Sequence, residues 1–427
     1  MVLEMAMESV FAVVDIYFVS GLGASAVATV GLTESLLTLV YAVAIGLSMG
    51  TTAMVARRIG EKDRHGAADS AVQAVILALA ASIPVSLVGI FFAKKVLAMM
   101  GGDAWCLEHG YRYTVWMLGG NAVIMLIFVN NAILRGAGDA AMAMRVLWVA
   151  NGINIVLGPS LIRGWGPFPE LGIQGAGIAT TIGRGTGVLV QFWVLFHGAK
   201  HIRVLRSQVH VHSEVMWRLI RLSLGGIGQL VIATSSWIGL VRIMSEFGSV
   251  ALAGYTIAVR IIVFTFMPAW GMSNAAATLV GQNLGAKKPE RAERSAWLTG
   301  FANMGFMGVV AAIYIVWNDE LVRIFTHDPA IIAVGADCLR IVSYGYLFYA
   351  WELVMIQAFN GAGDTVTPTK INFVCFWLIE IPVAYLLAMK LGVGEHGVYW
   401  SIVIAESVAG LVAIWLFRRG TWKTRMV

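Results

Sequence analysis

The sequence predicts an all-α membrane protein with twelve transmembrane helices in two pseudo-symmetric six-helix bundles. Three observations predict it. First, short motifs occur twice at one fixed offset. Val55-Ala-Arg-Arg-Ile-Gly-Glu-Lys62, followed by Ala67 and Ser70-Ala71, returns as Val280-Gly-Gln-Asn-Leu-Gly-Ala-Lys287, followed by Ala292 and Ser295-Ala296. Gly136-Ala-Gly-Asp139 returns as Gly361-Ala-Gly-Asp364, and Gly23, Ala26 and Ala28 return as Gly248, Ala251 and Ala253, each 225 residues on. One offset shared by three blocks makes the chain two copies of one unit. Second, hydrophobic residues make up 59%, charged residues 13%, and the mean hydropathy is +0.78. A soluble chain carries about twice that charge. Third, apolar runs of about 20 residues, the length that crosses a bilayer, recur from one end to the other.

The predicted spans of the first half lie at about 1–20, 26–56, 68–92, 111–134, 145–162 and 173–197. The first is apolar except for its acids, and it is short. Met1 aligns with about Gly226 at the repeat offset, whereas the seventh span starts near Trp217, so helix 1 lacks roughly two turns on its cytoplasmic side. Either the start Met is internal to a longer product or helix 1 is short. Span 2 ends in Arg57, Arg58, Gly60 and Lys62, a helix stop with a basic anchor. No GxxxxGK[ST] pattern follows a strand, so no nucleotide site is implied. Span 3 contains Pro84, which allows a bend. Span 4 ends in Gly136-Ala-Gly-Asp139, read as a tight joint: glycine ends one helix and Asp139 caps the next.

Residues 199–216 form a polar linker with Lys200, Arg203, Arg206, His210 and His212, expected along the membrane surface. His210-x-His212 offers two metal ligands at most, and a solvated linker is the plainer reading. The halves are thus 1–198 and 217–427. The second-half spans lie at about 217–245, 251–280, 294–317, 337–359, 371–390 and 397–417, with Pro268 and Pro382 inside two of them. Asp364 repeats the joint of Asp139.

Basic residues cluster after even-numbered spans: Arg57, Arg58, Lys62 and Arg64; Arg135 and Arg145; Lys200 to Arg221; Lys287 to Arg294; Lys370; and Arg418 to Arg425. Both termini are therefore predicted to be cytoplasmic, in a multi-pass protein of the cell (inner) membrane. Six spans per half is even, so the repeat is parallel and would place a cavity between the halves. The net charge of +6 comes from these short loops, not from a nucleic-acid surface. Cys106, Cys338 and Cys375 form no CxxC, which argues against a metal cage or a disulfide framework. Residues 1–19 carry Glu4, Glu8 and Asp15 and lack a basic start, so no cleavable signal is predicted.

Charge inside spans is costly and marks cavities or partners. Asp15, Glu34, Glu352, Glu380, Glu406, Arg184 and Arg260 lie within or near span ends. Asp15 is the best placed. Its repeat counterpart is Leu240, so the acid belongs to one half only. Helical spacing puts Phe11 and Phe18 on its face, and a carboxylate between aromatic rings is poised to gain and lose a proton. Asn154 and Thr180, with a carboxylate, would make an oxygen-rich site for a small cation. Asn154 as a helix-packing residue is an equal reading. Glu34 and Glu352 are further cavity candidates. Glu380 and Glu406 read either as functional groups or as partners of Arg184 or Arg260.

These residues carry a family resemblance. Val14-Asp15-Ile-Tyr-Phe-Val-Ser-Gly-Leu-Gly23 resembles the first-helix signature of the multidrug and toxic compound extrusion (MATE) transporters. Gly46-Leu-Ser-Met-Gly-Thr-Thr52, Pro268-Ala-Trp-Gly-Met272 and Leu279-Val-Gly-Gln-Asn-Leu-Gly-Ala286 resemble that family's helix 2 and helix 8 segments. Gly361-Ala-Gly-Asp-Thr365 and Phe417-Arg-Arg-Gly-Thr-Trp422 fit as well, so the resemblance spans nearly the whole chain. It implies a MATE-like fold and export driven by proton or sodium. It also implies that Asp15, Asn154 and Thr180 form the coupling-ion site of the N-terminal lobe. The chain departs from the family where Asn154-Ile-Val-Leu-Gly158-Pro159 lacks the aspartate of Asn-x-x-x-Asp-Pro. The helix 7 acid of sodium-coupled relatives is also absent from Gln229-Leu-Val-Ile-Ala-Thr-Ser-Ser236. One remaining acid suits a proton better than sodium.

The expected function is a proton-coupled antiporter that exports amphipathic, often cationic, organic compounds. It is expected to be a monomer without enzymatic activity, cofactor or nucleic-acid partner. Two alternatives stand beside it. A flippase for a lipid-linked sugar would want several cavity arginines or lysines, and only Arg184 and Arg260 qualify. A membrane scaffold leaves Asp15 unexplained.

Overall fold

A computed structural model of the chain describes residues 2–198 and 201–425. Lys200 of the predicted linker lies outside the described residues. Twelve helical segments follow one another. They are α1 (Val2–Ser20), α2 (Ala24–Gly60), α3 (Arg64–Met99), α4 (Cys106–Gly136), α5 (Ala140–Arg163) and α6 (Ile173–His197), then α7 (Ser213–Ser245), α8 (Ser249–Gly285), α9 (Pro289–Val316), α10 (Pro329–Ser343 with Tyr346–Gly361), α11 (Val366–Lys390) and α12 (Glu395–Arg418). Ten of these described helices are long and apolar enough to cross a membrane, and α10, bent by 59°, makes eleven. The remaining one is α1, whose 19 residues carry Glu4, Glu8 and Asp15. That is too much charge for a plain hydrophobic span.

The helices fall into two compact units, Leu3–Ile227 and Gly228–Val427. The division lies inside α7. The segment predicted as a linker packs on the first unit. Ile202, Val204 and Gln208 are buried. The Gln73 carboxamide of α3 holds it on both sides, donating to the His210 carbonyl at 2.7 Å and accepting from His212 N–H at 3.1 Å. His210 and His212 also approach each other, with Nε2 atoms 3.0 Å apart.

Local structure repeats at the offset of the motifs. α2 and α8 have 37 residues each. That is about 55 Å of helix at ordinary rise, more than a hydrocarbon core needs. Both end in the same turn. Lys62 (φ 61°) and Lys287 (φ 56°) are the only non-glycine residues with positive φ among those described. Both Gly-Ala-Gly-Asp joints use their second glycine in the left-handed region, Gly138 at φ 85° and Gly363 at φ 83°. Each aspartate then caps the next helix: Asp139 accepts from Met142 N–H, and Asp364 from Thr367 N–H and hydroxyl. The first glycine of each joint lies against the long helix of its own unit. A Cβ on Gly136 would sit 3.2 Å from the Thr52 carbonyl oxygen, and one on Gly361 would sit 2.2 Å from that of Ala277. Thr52 and Ala277 are themselves repeat equivalents. The prolines fall where expected, with Pro84 inside α3 and Pro268 inside α8. Pro382 of α11 follows a π-helical stretch, Phe373–Glu380.

Candidate functional site

The first unit gathers its intramembrane charge around one arginine. Arg184 projects from α6 and is 7% exposed. Its Nη1 donates to the Tyr41 hydroxyl of α2 at 3.3 Å. Its guanidinium lies over the Phe11 ring of α1, 5.6 Å from the centroid. Glu8, Asp15 and Glu34 are all within electrostatic reach of it. Three carboxylates thus share one buried cation.

Helical spacing explains the α1 side of this arrangement. Glu4, Glu8, Phe11, Asp15 and Phe18 are separated by three or four residues, so they follow one face. Its acids are Glu4, Glu8 and Asp15. Asp15 is half-buried and has Glu34 and Arg184 as its charged neighbours. Phe11 serves Arg184. Phe18 sits instead under the Arg163 guanidinium, at 5.4 Å, with Trp165 edge-on at 6.4 Å. The two rings therefore bracket Asp15 along the helix while each engages its own arginine.

Asn154 and Thr180 come together. The Asn154 Nδ2 donates to Thr180 Oγ1 at 2.9 Å, joining α5 to α6, and both side chains are buried. Gly158 lies one turn further along α5, and a Cβ there would sit 3.7 Å from the Asn154 Oδ1. Thr180 and Arg184 line one small cavity with Met117, Gly120 and Thr181. Among the described residues Asp15 is not hydrogen-bonded to this pair; it belongs with Glu34 and Arg184. Glu34 is exposed on α2.

At the start of α1, Glu4 is 1% exposed and pairs with Arg135 of α4 at 2.9 Å. The Asn131 carboxamide donates to the same Glu4 oxygen at 3.3 Å, and Gln191 donates to Asn131 Oδ1 at 2.7 Å. Arg135, counted above among the orienting basic residues, is thus internally neutralised. The repeat equivalents of Glu4 and Arg135 are Gln229 and Asn360. They form a reciprocal amide pair, with Nε2–Oδ1 at 3.0 Å and Nδ2–Oε1 at 3.1 Å. The same position is ionic in one unit and neutral in the other.

Glu352 is buried in the second unit, with Glu380 and Glu406. The Ser236 hydroxyl is 2.6 Å from Glu380 Oε2. The pairing of Glu380 or Glu406 with Arg184 or Arg260 does not occur. Arg184 is engaged within the first unit, and Arg260 is exposed. Glu4, Glu8, Tyr41 and Arg135 were not among the predicted site residues. The spacing of acids along α1 was the available signal.

Among the described residues, no group of three or more His, Cys, Asp or Glu side chains is arranged to hold a metal ion.

Comparison with known proteins bears on this arrangement. A protein of Thermotoga maritima described as "Probable multidrug resistance protein NorM" is 27% identical over 427 residues, covering 99% of this chain and 91% of its own. "Probable multidrug resistance protein YoeA" of Bacillus subtilis is 24% identical over 95% of this chain and 88% of its own. A crystal structure of MATE in the straight conformation superposes with a TM-score of 0.92 at 25% identity, covering 100% of this chain and 95% of that one. Residues 1–160 and 227–386, well over half of the sequence, match the MatE family. The two matched segments coincide with the two copies of the repeat, and the chain belongs to the MatE family of multi-pass membrane transporters.

Proposed function

We propose that this chain is a proton-coupled antiporter that exports amphipathic, often cationic, organic compounds across the cytoplasmic membrane by alternating access. The observation that carries this reading is the imbalance around Arg184: Glu8, Asp15 and Glu34 against one guanidinium. An excess of carboxylates within membrane-spanning helices must be neutralised. A proton can do so, and so can a cationic substrate held nearby. Two ligands that compensate the same charge displace each other, which is the logic of exchange. The names of the relatives, multidrug resistance proteins, support the substrate class.

Asp15 is the coupling group. Protonated from outside, it leaves Arg184 to Glu8 and Glu34 and favours substrate release. Exposed inside at higher pH, it ionises and resets the lobe. The Asn154–Thr180 pair braces α5 against α6 beside it. Gly158 supplies no carboxylate there, so beside this pair a sodium ion would find only neutral oxygens. Both termini are cytoplasmic on this reading, and Lys287, Lys288, Arg291 and Arg294 mark the same side.

Asp15→Asn tests the assignment. It should leave expression and folding unchanged and abolish export of a cationic dye from cells or vesicles. Full export by the variant would remove Asp15 from the mechanism.

A further inference from the structure

The second unit carries a basic corner that the mechanism above does not use. Arg294 lies near the start of α9, Arg418 closes α12, and Arg419 follows it. All three are exposed, and among the described residues none of them forms an ion pair. Their basic neighbours differ. Lys423 pairs with Glu293, the acid close to Arg418, and Arg425 lies 3.6 Å from Asp364. The acids at this corner are thus taken, and three guanidinium groups are left over.

Aromatic rings hold two of them. The Arg419 guanidinium lies over Trp415, 3.6 Å from the ring centroid, and that of Arg418 lies over Trp297 of α9, at 5.4 Å. Arg418 thereby bridges α12 to α9, where Arg294 sits one turn before Trp297. A cation–π contact draws on the charge and needs none of the N–H donors. Those donors stay free for phosphate oxygens, which a guanidinium fork fits well. Deeper along the same two helices, Leu298, Phe301, Leu411 and Trp415 are each more than half exposed. On a spanning helix such a surface meets acyl chains, and tryptophan with arginine marks the headgroup level.

The first unit shows that the fold does not demand this charge. The repeat offset places Asp69 at the position of Arg294. Counted from the positive-φ glycine that opens each last helix, Gly172 (φ 55°) and Gly394 (φ 69°), Phe196 and His197 stand where Arg418 and Arg419 do. The ring stack is kept, with His197 on Trp193 at 4.9 Å, while both arginines are gone. Asp69 there serves its own chain. Its Oδ2 lies 3.2 Å from His65 Nδ1 and 3.7 Å from His212 Nδ1, beside the docked linker. The second unit instead offers three cations above an apolar surface.

We propose that Arg294, Arg418 and Arg419 bind the phosphate of an anionic phospholipid whose acyl chains lie along α9 and α12. Charge complementarity selects an acidic lipid over a zwitterionic one, whose headgroup brings its own cation. The site needs only that this unit spans a bilayer, so it stands whichever ion drives export.

Native mass spectrometry of the delipidated full chain in detergent tests it. The wild type should retain phosphatidylglycerol in preference to phosphatidylcholine. Arg418→Gln combined with Arg419→Gln should weaken retention of phosphatidylglycerol roughly tenfold. Arg294→Gln, on the other helix, should weaken it as well. Arg64→Gln combined with Arg145→Gln removes the same charge from exposed positions of the first unit and should leave retention unchanged. Equal retention of the two lipids by the wild type would overturn the proposal. So would an equal loss in the Arg64 and Arg145 control, which would reduce the effect to net charge. Displacement of the lipid by inorganic phosphate at matched concentration would also overturn it, by making this a site for a free anion.

Discussion

At the scale of single residues, the pair Glu4–Arg135 gives the sharpest stability test. Both partners are buried, so removing one leaves an uncompensated charge, which costs about 3–5 kcal/mol. The repeat shows what the fold accepts instead, an amide pair at Gln229 and Asn360. Glu4→Gln and Arg135→Asn should each lower the thermal midpoint of the purified protein sharply. The double variant, which copies the pair of the second unit, should recover most of the loss. Additive losses in the double variant would mean that the two residues act separately. Arg184 is the other case. Arg184→Met keeps the bulk but strips Glu8, Asp15 and Glu34 of their shared cation. Export should be lost, and the loss should be partly relieved when Glu8→Gln is added.

At the scale of elements, the joints between helices carry the predictions. Gly138 and Gly363 occupy left-handed backbone, so alanine at either should cost about 1 kcal/mol. Gly136 and Gly361 differ from them and from each other. A methyl group at Gly361 would meet the Ala277 backbone oxygen at 2.2 Å, whereas one at Gly136 meets that of Thr52 at 3.2 Å. Gly361→Ala should therefore be far more destabilising than Gly136→Ala in thermal unfolding, despite identical motifs. Equal effects would show that the close approach relaxes freely. The loop before α4 adds a pH dependence. Asp103 accepts from Cys106 N–H at 2.7 Å and from the Ser25 hydroxyl at 2.8 Å. These bonds, the Cys106 backbone bond first, hold its carboxyl below the usual aspartate range. A lowered folded-state value means that this contribution is present above the unfolded value and lost as pH falls through the folded one. Acid should loosen the start of α4 first, and Asp103→Ala should remove that dependence in hydrogen exchange.

At the scale of the whole molecule, the helices and the duplication were legible because both rest on pattern alone. Apolar length sets a span, and a constant offset between Gly136-Ala-Gly-Asp139 and Gly361-Ala-Gly-Asp364 sets a repeat. The closeness of Asn154 and Thr180 followed from resemblance. The surroundings of Asp15 did not, because a one-sided helix does not say which neighbours its face meets. Arg184 could have served either unit, and only packing assigns it to Tyr41, Phe11 and the acids of α1 and α2. The setting of Glu352, Glu380 and Glu406 was hidden for another reason. Buried acids are ordinarily expected to find a basic partner, and Glu380 meets the Ser236 hydroxyl instead. The central claim is that protons drive export through the first unit. A pH difference of one unit supplies about 1.4 kcal/mol per proton, a bias large enough to move a transporter between two states. The direct measurement is efflux of a cationic dye from proteoliposomes, first under an imposed pH gradient without sodium, then under a sodium gradient at equal pH. The account predicts transport in the first condition, none in the second, and none in either for Asp15→Asn. Transport driven by sodium alone would contradict it.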